Sequence, residues 1–352
     1  MNAPDAIPMD ASPVEVMDGL WQWELEAFPE QAAFSADSAS MAFALGDGRI
    51  ASLDLEDGSV LAWQAHEGSC LCLAAHPLGG WISGGDDGRA VFSSPGGECT
   101  MLHQEPGVWA EHLSASRDGT LMAMSLGKEA LVLDLAAGST AVYGPARAAI
   151  SGLCVSPAGG ALAVTGVGGI TLWDMEDQHE PIELDLRGLN LSPAFSPDGS
   201  YLACGHQENT VHVLDLSSRK VFALSGLPAK PGKLAWSHDG GHVLHTGTKA
   251  VLCWPVPRCF DGNPQPIAFA VQEDARMCAL AANPRIPFAA CGFNDGTLLL
   301  AELKRFAAFP VPLDLGSPVS ALAWSASGMH LSIAFEDGRV ALLDLARMLS
   351  NG

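Results

Sequence analysis

Residues 196–216 read SPDGSYLACGHQENTVHVLDL, and the pattern in this stretch predicts the fold. It begins with a Ser-Pro-Asp-Gly turn, continues into an apolar strand, turns again, and ends with a second strand closing on Leu-Asp-Leu. Turn residues supply the backbone angles of a hairpin, and alternating apolar residues supply its buried face. The same stretch holds Cys204, His206, Glu208 and His212, which are residue types that build metal sites and acid/base pairs. Repetition along the chain distinguishes a structural pattern from a catalytic one.

The pattern recurs along the chain in eight units, of which residues 196–216 form the fifth. The Asp-like position that ends the second strand of each unit falls at Asp54, Ser94, Asp134, Asp174, Asp215, Pro255, Glu302 and Asp344. The successive spacings are 40, 40, 40, 41, 40, 47 and 42 residues. Further short strands lie between the hairpins, which gives four strands per period. A period of about 41 residues with four strands is typical of propeller blades, and helices should be nearly absent.

The two ends of the chain complement each other. The last unit stops after its third strand, whereas residues 19–28, GLWQWELEAF, alternate apolar and polar side chains as a half-buried strand does. Pairing this N-terminal strand with the last unit would remove exposed strand edges. We therefore predict an all-β fold over residues 18–352: a single closed β-propeller of eight four-stranded blades, with seven blades as the alternative. Residues 1–17, rich in Ala, Pro and Asp, are predicted to be a flexible acidic tail.

The repeats resemble those of the WD-repeat family over almost the whole chain. The resemblance depends on the Ser-Pro-Asp-Gly turn at 196–199, on Ser-Gly-Gly-Asp-Asp-Gly at 83–88, on Leu-Trp-Asp at 172–174, and on the period. The repeats are degenerate, since only Trp173 is followed by an Asp, Asp174, as in the family signature.

The resemblance implies a hydrogen-bonded structural set made of a His, a Ser or Thr, a turn Asp and the signature Trp. The second unit retains His66, Ser83 and Asp87 at these places, while Ser93 stands at the Trp position. The turn Asp is also present as Asp47, Asp295 and Asp337, and Glu208 substitutes for it in the fifth unit.

Composition limits the partners and the compartment. The formal net charge is −22, which repels nucleic acid phosphates and anionic lipid headgroups, so we expect no direct nucleic acid or membrane binding. Neither a secretory signal nor a long apolar run is present. The nine cysteines are scattered without any CxxC pair, which suits packing in a reducing compartment. The sequence predicts a cytoplasmic protein.

Two clusters raise the question of a metal. His238, His242 and His245 lie close together in sequence, but residues three apart on a strand point to opposite faces. A structural role is favoured for all three.

Cys70, Cys72 and His76 form the other cluster, with both cysteines expected on one strand face, where packing as small hydrophobes is favoured. Metal binding or a link to metal homeostasis through either cluster stays open as an alternative. No nucleophile elbow or phosphate-binding loop is present, so we predict a non-enzyme without cofactor; a propeller hydrolase or lactonase is the remaining alternative.

Three turns read Asp-Gly-Arg and end in Arg49, Arg89 and Arg339. They fall in units one, two and eight, which become neighbours if the ring closes. The family resemblance implies that this rim receives partners, and an arc of arginines suits acidic or phosphorylated segments through bidentate contacts. The alternative is that each arginine pairs with a neighbouring acidic turn residue.

The long spacing before unit seven extends the loop at 255–266, which contains four prolines. This loop is a second candidate partner site, presenting Arg258, Phe260 and Asp261. The predicted function is a protein-protein interaction scaffold that holds protein or peptide partners on the propeller face.

Overall fold

A computed structural model describes residues 6–9, 11–176, 180–260, 265–313 and 316–350. The chain forms two compact units, residues 1–113 with 315–352 and residues 114–314. Strands dominate both units. Within the described residues the helical elements are α1 (Leu345–Ser350) and a 3₁₀ turn at Arg258–Phe260. This agrees with the expectation that helices are nearly absent. The same residues contain no helix with the length and apolar character needed to cross a membrane.

In chain order the first half of the strands are β1 (Ile7–Met9), β2 (Val14–Met17), β3 (Leu20–Glu24), β4 (Pro29–Phe34), β5 (Ser40–Leu45), β6 (Arg49–Asp54), β7 (Val60–Gln64), β8 (Cys70–Ala75), β9 (Trp81–Gly85), β10 (Arg89–Ser93), β11 (Cys99–Gln104), β12 (Leu113–Ala115), β13 (Leu121–Leu126), β14 (Glu129–Asp134), β15 (Ser139–Tyr143) and β16 (Gly152–Val155). The second half are β17 (Ala161–Asp174), β18 (Ile182–Phe195), β19 (Tyr201–His206), β20 (Thr210–Asp215), β21 (Lys220–Leu224), β22 (Leu234–Trp236), β23 (His242–His245), β24 (Val251–Pro255), β25 (Ile267–Phe269), β26 (Met277–Ala282), β27 (Phe288–Phe293), β28 (Leu298–Glu302), β29 (Ala307–Pro310), β30 (Val319–Trp324), β31 (His330–Phe335) and β32 (Arg339–Asp344).

The first compact unit, residues 1–113 with 315–352, contains three antiparallel sheets. We call β1-β7-β6-β5-β4 the first sheet, β11-β10-β9-β8 the second sheet, and β2-β3-β32-β31-β30 the last sheet. The second unit contains the sheets β12-β13-β14-β15, β16-β17-β18-β19-β20-β21, β22-β23-β24-β25 and β26-β27-β28-β29. Most hairpin strands are joined by turns that contain Gly or Asp, as the repeat predicts, although residues 283–287 and 303–306 contain neither.

The described sheets number seven, so the prediction of eight blades is not confirmed and the count matches the alternative of seven. The reason is the six-stranded sheet, which unites the fourth and fifth sequence units. The backbone amide of Met175 donates to Gly160 O at 2.9 Å, so the 14-residue strand β17 folds back on itself as a hairpin. The strand β18 pairs with β17 through its first half and with β19 through its second half. Closure of the ring stays a prediction.

The N-terminal strand pairs as the sequence predicts. Trp21 lies opposite Leu342 and Trp23 opposite Val340, so β3 joins β32 and extends the last sheet. The described part of residues 1–17 also contains paired strands, since β1 pairs with β7 and β2 pairs with β3. The boundary between tail and propeller at residue 18 stays a prediction.

Apolar clusters pack the sheets of the first unit against each other. One cluster joins Val340 and Leu342 of the last sheet to Phe43 and Leu53 of the first sheet. Another joins the first sheet to the second; its buried members are Ala42, Ala44, Ile50, Trp63, Cys70, Leu73 and Trp81. The first sheet is therefore flanked by the other two sheets of this unit.

Candidate functional site

The residues of the structural set in the second repeat lie in contact. His66 Nδ1 is 3.0 Å from Asp87 Oδ1, and His66 Nε2 is 2.9 Å from Ser83 Oγ. His66 and Ser83 are buried and the Asp87 side chain is 9% exposed; Asp87 also accepts the amides of Glu67 and Arg89. Burial raises the pKa of Asp87, but these hydrogen bonds and the charge of His66 outweigh it and bring the pKa to about 2. These hydrogen bonds connect the segment before β8 to the turn after β9.

The other turn aspartates shape their own turns. Asp47, Asp295 and Asp337 each accept the amide two residues further on, at 3.2, 2.9 and 3.1 Å. In the Leu-Trp-Asp motif, Trp173 is buried with its ring 6.3 Å from that of Tyr143, while Asp174 accepts the amide of Glu176. These positions serve local backbone structure.

The chemistry-bearing residues of 196–216 also have structural partners. Glu208 donates its amide to His206 Nδ1 at 3.3 Å, and His206 Nε2 lies 2.7 Å from Arg187 O. The rings of His206 and His212 approach to 5.0 Å, a proximity that the repeat pattern did not indicate. It arises because β19 and β20 pair with Cys204 opposite His212.

Of the three histidines in 238–245, His238 and His242 are half-buried, whereas His245 lies in the core. His245 is fully buried, and its Nδ1 donates to Thr246 O at 3.0 Å. His242 is half-buried, with its ring 5.8 Å from Phe306. Burial lowers the pKa of both rings, which favours neutral imidazole. Among the residues that the structure describes, no three His, Cys, Asp or Glu are placed to hold a metal ion.

A bulge alters the expected placement of Cys70 and Cys72. The pairing register of β8 shifts between them, which breaks the alternation from which a shared face was predicted. Cys70 lies in the core between the first and second sheets, whereas Cys72 Sγ lies 3.3 Å from Ala110 O. Burial raises the pKa of Cys72 to about 12, so it is a protonated thiol at neutral pH. His76 instead contacts the ring of Phe92 at 5.0 Å.

The Asp-Gly-Arg turns lie on the three neighbouring sheets of the first compact unit, residues 1–113 with 315–352. Arg49 begins β6, Arg89 begins β10 and Arg339 begins β32, and each side chain is about a quarter exposed, at 23%, 26% and 26%. Because the first sheet is flanked by the second and the last, the three turns belong to adjacent sheets. The sequence prediction that units one, two and eight are neighbours therefore holds for these sheets.

Each of these arginines is paired with acidic residues. Arg49 bonds Asp47 at 2.8 Å and lies 3.5 Å from Glu26. Arg89 bonds Glu67 at 2.6 Å, and Arg339 Nε donates to Asp337 at 2.8 Å. The exposed carboxylates Glu26 and Glu67 lie outermost, with side-chain exposures of 77% and 74%.

The pKa values follow this pairing at Asp337 and Arg339. Burial raises the pKa of Asp337, but the hydrogen bonds and charge of Arg339 hold it below its ordinary range. The hydrogen bond to Asp337 in turn raises the pKa of Arg339. A ligand for the arginines must share or displace these carboxylates.

In the extended loop, Phe260 packs inward. Its ring stacks on Phe222 with centroids 4.0 Å apart and lies 5.6 Å from the ring of Tyr201, which leaves it half-buried. Arg258 is exposed in the same 3₁₀ turn. Asp261 lies outside the described residues.

Comparison with known proteins agrees with the sheet architecture. The family model described as "WD domain, G-beta repeat" matches residues 57–92, which contain the His66 set, and residues 189–215, which contain all but the last residue of 196–216. Among solved structures, the C-terminal WD40 domain of Sif2 matches with a TM-score of 0.70 at 13% identity, covering 95% of this chain and 98% of that chain. The β-propeller domain of Myceliophteria thermophila Cps50 (Swd1) matches with a TM-score of 0.61 at 14% identity. This match covers 92% of this chain and 99% of that chain.

Sequence similarity to curated proteins is partial. THO complex subunit 3 of Arabidopsis thaliana is 24% identical over 190 residues, which are 53% of this chain and 58% of that protein. Meiotic recombination protein rec14 of Schizosaccharomyces pombe is 32% identical over 102 residues, 28% of this chain and 34% of that protein. Human echinoderm microtubule-associated protein-like 2 is 33% identical over 111 residues, which are 29% of this chain and 17% of that protein. The chain thus spans between a sixth and three fifths of the length of these relatives.

The fold and the repeat chemistry define the class: an all-β repeat protein with the β-propeller fold. More narrowly, residues 57–92 and 189–215 match the WD40 repeat, and the chain has the fold of WD40 domains.

Proposed function

We propose that this chain is a non-enzymatic scaffold for protein-protein interaction. WD40 propellers generally bind protein partners, and one relative, THO complex subunit 3, is by its name a component of a complex. The net charge of −22 favours protein over nucleic acid as the partner. The described residues also have ordinary structural partners for most chemistry-bearing side chains of the repeats.

The observation that carries the proposal is the arc of Asp-Gly-Arg turns on three adjacent sheets. Arg49, Arg89 and Arg339 are partly exposed and are held in fixed geometry by their own carboxylates. A guanidinium with one edge on an internal carboxylate can donate through its other edge to an acidic or phosphorylated segment. The exposed Arg258 of the extended loop is a further candidate contact. Phe260 would act there by holding the loop in place.

Affinity purification with charge-altered variants tests the arc. Tagged wild-type chain and the variant Arg49→Ala/Arg89→Ala/Arg339→Ala are incubated with extract of the source organism, and bound proteins are quantified by mass spectrometry. We expect the triple variant to lose about tenfold or more of a specific partner. Equal recovery with both proteins would contradict the role of the arc.

A second variant tests whether the partner contacts the arc through acidic or through basic groups. Asp47→Asn/Asp337→Asn keeps an acceptor for each turn amide but removes the carboxylate charge beside two arginines. An acidic or phosphorylated partner should then bind more tightly, because the arginines no longer share their charge. Weaker binding would show that the carboxylates recognise a basic partner. The control for the triple arginine variant is Arg305→Ala, at an exposed arginine in the compact unit of residues 114–314.

A further inference from the structure

Two neighbouring loops in the compact unit of residues 114–314 carry positive charge without any acid. The loop before β22, residues 225–233, contains Lys230 and Lys233, and the turn between β23 and β24, residues 246–250, contains Lys249. Neither segment contains Asp or Glu, although the chain has 40 acidic residues against 18 basic ones. Three of the six lysines in the chain therefore lie in these two segments.

The turn between β23 and β24 differs from the corresponding turns of other repeats. The turns that join β5 to β6, β9 to β10, β27 to β28 and β31 to β32 contain Asp47, Asp87, Asp295 and Asp337. In the turn at 246–250, hydroxyl groups make the hydrogen bonds instead. Thr246 Oγ1 accepts the amide of Lys233 at 2.9 Å, and Thr248 Oγ1 donates to Ala250 O at 2.7 Å. This turn is therefore held without a carboxylate.

Backbone contacts bring the two lysine-bearing segments together. The amide of Thr246 donates to Lys233 O at 3.0 Å. Gly247 approaches the loop before β22 so closely that an added Cβ would lie 2.5 Å from Lys230 O. Lys249 follows two residues later in the same turn, and the side chains of all three lysines are exposed. The three amines therefore belong to one small region of the surface.

Arg276 adds a fourth cation to this region. It ends the loop between β25 and β26 and precedes Met277, which exchanges two backbone hydrogen bonds with the turn at 246–250. The amide of Gly247 donates to Met277 O, and the amide of Met277 donates to Thr248 O, each at 2.8 Å. The Arg276 side chain is exposed as well. We call these four residues the basic patch: Lys230, Lys233, Lys249 and Arg276.

No cation of the basic patch forms an ion pair with a carboxylate in the described part of the chain. Glu273 and Asp274 lie in the same loop as Arg276, but the Lys249 amine donates to the backbone carbonyl of Glu273 and not to its carboxylate. The arginines of the arc differ, because each of them already bonds an acid. An anionic ligand can therefore bind the basic patch without displacing a carboxylate of the chain.

The environment of Lys233 also favours an anionic ligand. Its side chain reaches solvent, yet burial by the surrounding protein lowers the pKa of its amine. Desolvation disfavours the charged amine, whereas a neighbouring anion favours it. An anion bound beside Lys233 would therefore raise this pKa again, and the same coupling would strengthen the binding of the anion.

We infer that the basic patch binds an acidic or phosphorylated segment of a partner protein. Lysine amines are point charges on flexible stems, so several of them can contact carboxylate or phosphate oxygens spaced along an extended chain. A protein segment is favoured over nucleic acid, because the net charge of −22 repels a polymer with a phosphate at every residue. The inference rests on the proposed scaffold function and adds a second anion-binding surface, in the compact unit that does not carry the arginine arc.

Fluorescence polarisation with defined probes tests the inference. The probes are short labelled peptides in which Glu alternates with Gly and Ser, and matched peptides with phosphoserine or Gln in place of Glu. We expect the purified chain to bind an anionic peptide about tenfold or more tightly than the Gln peptide. Salt at about 0.5 M should weaken this binding, because it screens exposed charges. The tighter anionic peptide identifies carboxylate or phosphate as the preferred group.

Charge-matched variants assign the binding to the basic patch. Lys230→Gln/Lys233→Gln/Lys249→Gln should weaken the anionic peptides about tenfold, because three exposed ion pairs are lost. The control, Arg219→Gln/Lys220→Gln/Lys304→Gln, removes three exposed cations from other turns of the same compact unit and should bind as wild type. Both variants lose the same charge, so a difference between them does not come from net charge.

A conservative variant separates charge from folding. Lys230→Arg/Lys233→Arg/Lys249→Arg keeps the three positive charges and should retain the binding of the anionic peptides. Thermal unfolding checks that each variant is folded. If the Gln variant of the patch is unfolded, the single substitution Lys249→Gln replaces it and should weaken binding about twofold or more.

Several outcomes would overturn the inference. These are equal binding of the anionic and Gln peptides, equal loss in the patch variant and its control, and tighter binding of a single-stranded oligonucleotide of the same charge. Peptide binding that is lost in the triple arginine variant of the arc and kept in the patch variant would also overturn it. The affinity purification tests the scaffold function without these peptides, so failure of the patch and failure of the scaffold function are distinguishable.

Discussion

His66 and Asp87, which are 21 positions apart in the sequence, are joined by a 3.0 Å hydrogen bond between Nδ1 and Oδ1. The bond connects the segment before β8 to the turn between β9 and β10, and it is extended by the contact of His66 with Ser83. Because His66 is buried, loss of the Asp87 carboxylate leaves His66 Nδ1 without this hydrogen bond in a site that water reaches poorly. This repeat is therefore a suitable place to measure what the family's structural set contributes.

Acid should weaken the His66–Asp87 connection. The pKa of Asp87 is about 2 in the folded chain, below the value of about 3.9 for an unfolded aspartate. A lowered folded-state pKa contributes stability above about pH 4 that is lost as the pH falls from about 4 toward 2. Asp87→Asn should lower the free energy of unfolding at pH 7, and its deficit relative to wild type should shrink below pH 4. Urea unfolding across this range measures it.

The control for the acid experiment is Asp295→Asn, at the equivalent turn position of another repeat, whose carboxylate accepts the amide of Thr297. We expect this variant to keep more of the wild-type stability at pH 7 than Asp87→Asn. A deficit for Asp87→Asn that stays constant between pH 7 and pH 2 would contradict the assignment of the low pKa to Asp87.

Trp23 should be among the most important residues for stability. It is 4% exposed in the cluster between the last and first sheets, and its Nε1 donates to Gly58 O at 3.1 Å. Trp23→Ala should cost about 3–5 kcal/mol in free energy of unfolding, because it opens a cavity and removes this hydrogen bond. Trp109→Ala, at a residue that is 59% exposed, should change it by less than about 0.5 kcal/mol. Equal losses in urea unfolding would refute the N-terminal strand as part of the core.

Gly48 should not tolerate a side chain. Its φ is +85°, and an added Cβ would lie 2.1 Å from Gly68 O and 2.4 Å from His66 O. Gly48→Ala combines backbone strain with a clash against backbone atoms and should cost about 3 kcal/mol or more. Gly138 has a φ of +65° with no atom within 4 Å of its added Cβ, so Gly138→Ala should cost only about 1 kcal/mol. Thermal unfolding of the two variants compares them, and a similar loss in both would argue against the close approach at Gly48.

Cys278 should be the first cysteine to react with thiol reagents. It is exposed, whereas burial raises the pKa of Cys204, Cys253 and Cys291 to about 12. A thiolate is the reactive form, so the buried cysteines should be modified only on unfolding. Cys278→Ser should remove the fast phase of modification at pH 8. A fast phase that survives this substitution would show that another thiol is accessible.

The repeat period and the turn residues were sufficient to predict the all-β propeller fold and the N-terminal strand beside β32. This prediction succeeds because hairpin turns and alternating strands are local properties that recur in each sequence unit. The number of sheets was not predictable in the same way. The strand β18 pairs with β17 through its first half and with β19 through its second half, so two sequence units share one sheet. The repeat pattern does not indicate this sharing, because it depends on how strands of two different sequence units pair.

The amino-acid sequence is enough to identify the residues that recur: the turn aspartates, the His66 set and the Asp-Gly-Arg turns. Their contacts are visible only in the folded chain. The bulge that separates Cys70 from Cys72, the inward packing of Phe260, and the carboxylates Glu26 and Glu67 on Arg49 and Arg89 all depend on segments distant in sequence. Local patterns fix strands and turns, whereas side-chain partners are fixed by packing between strands and sheets.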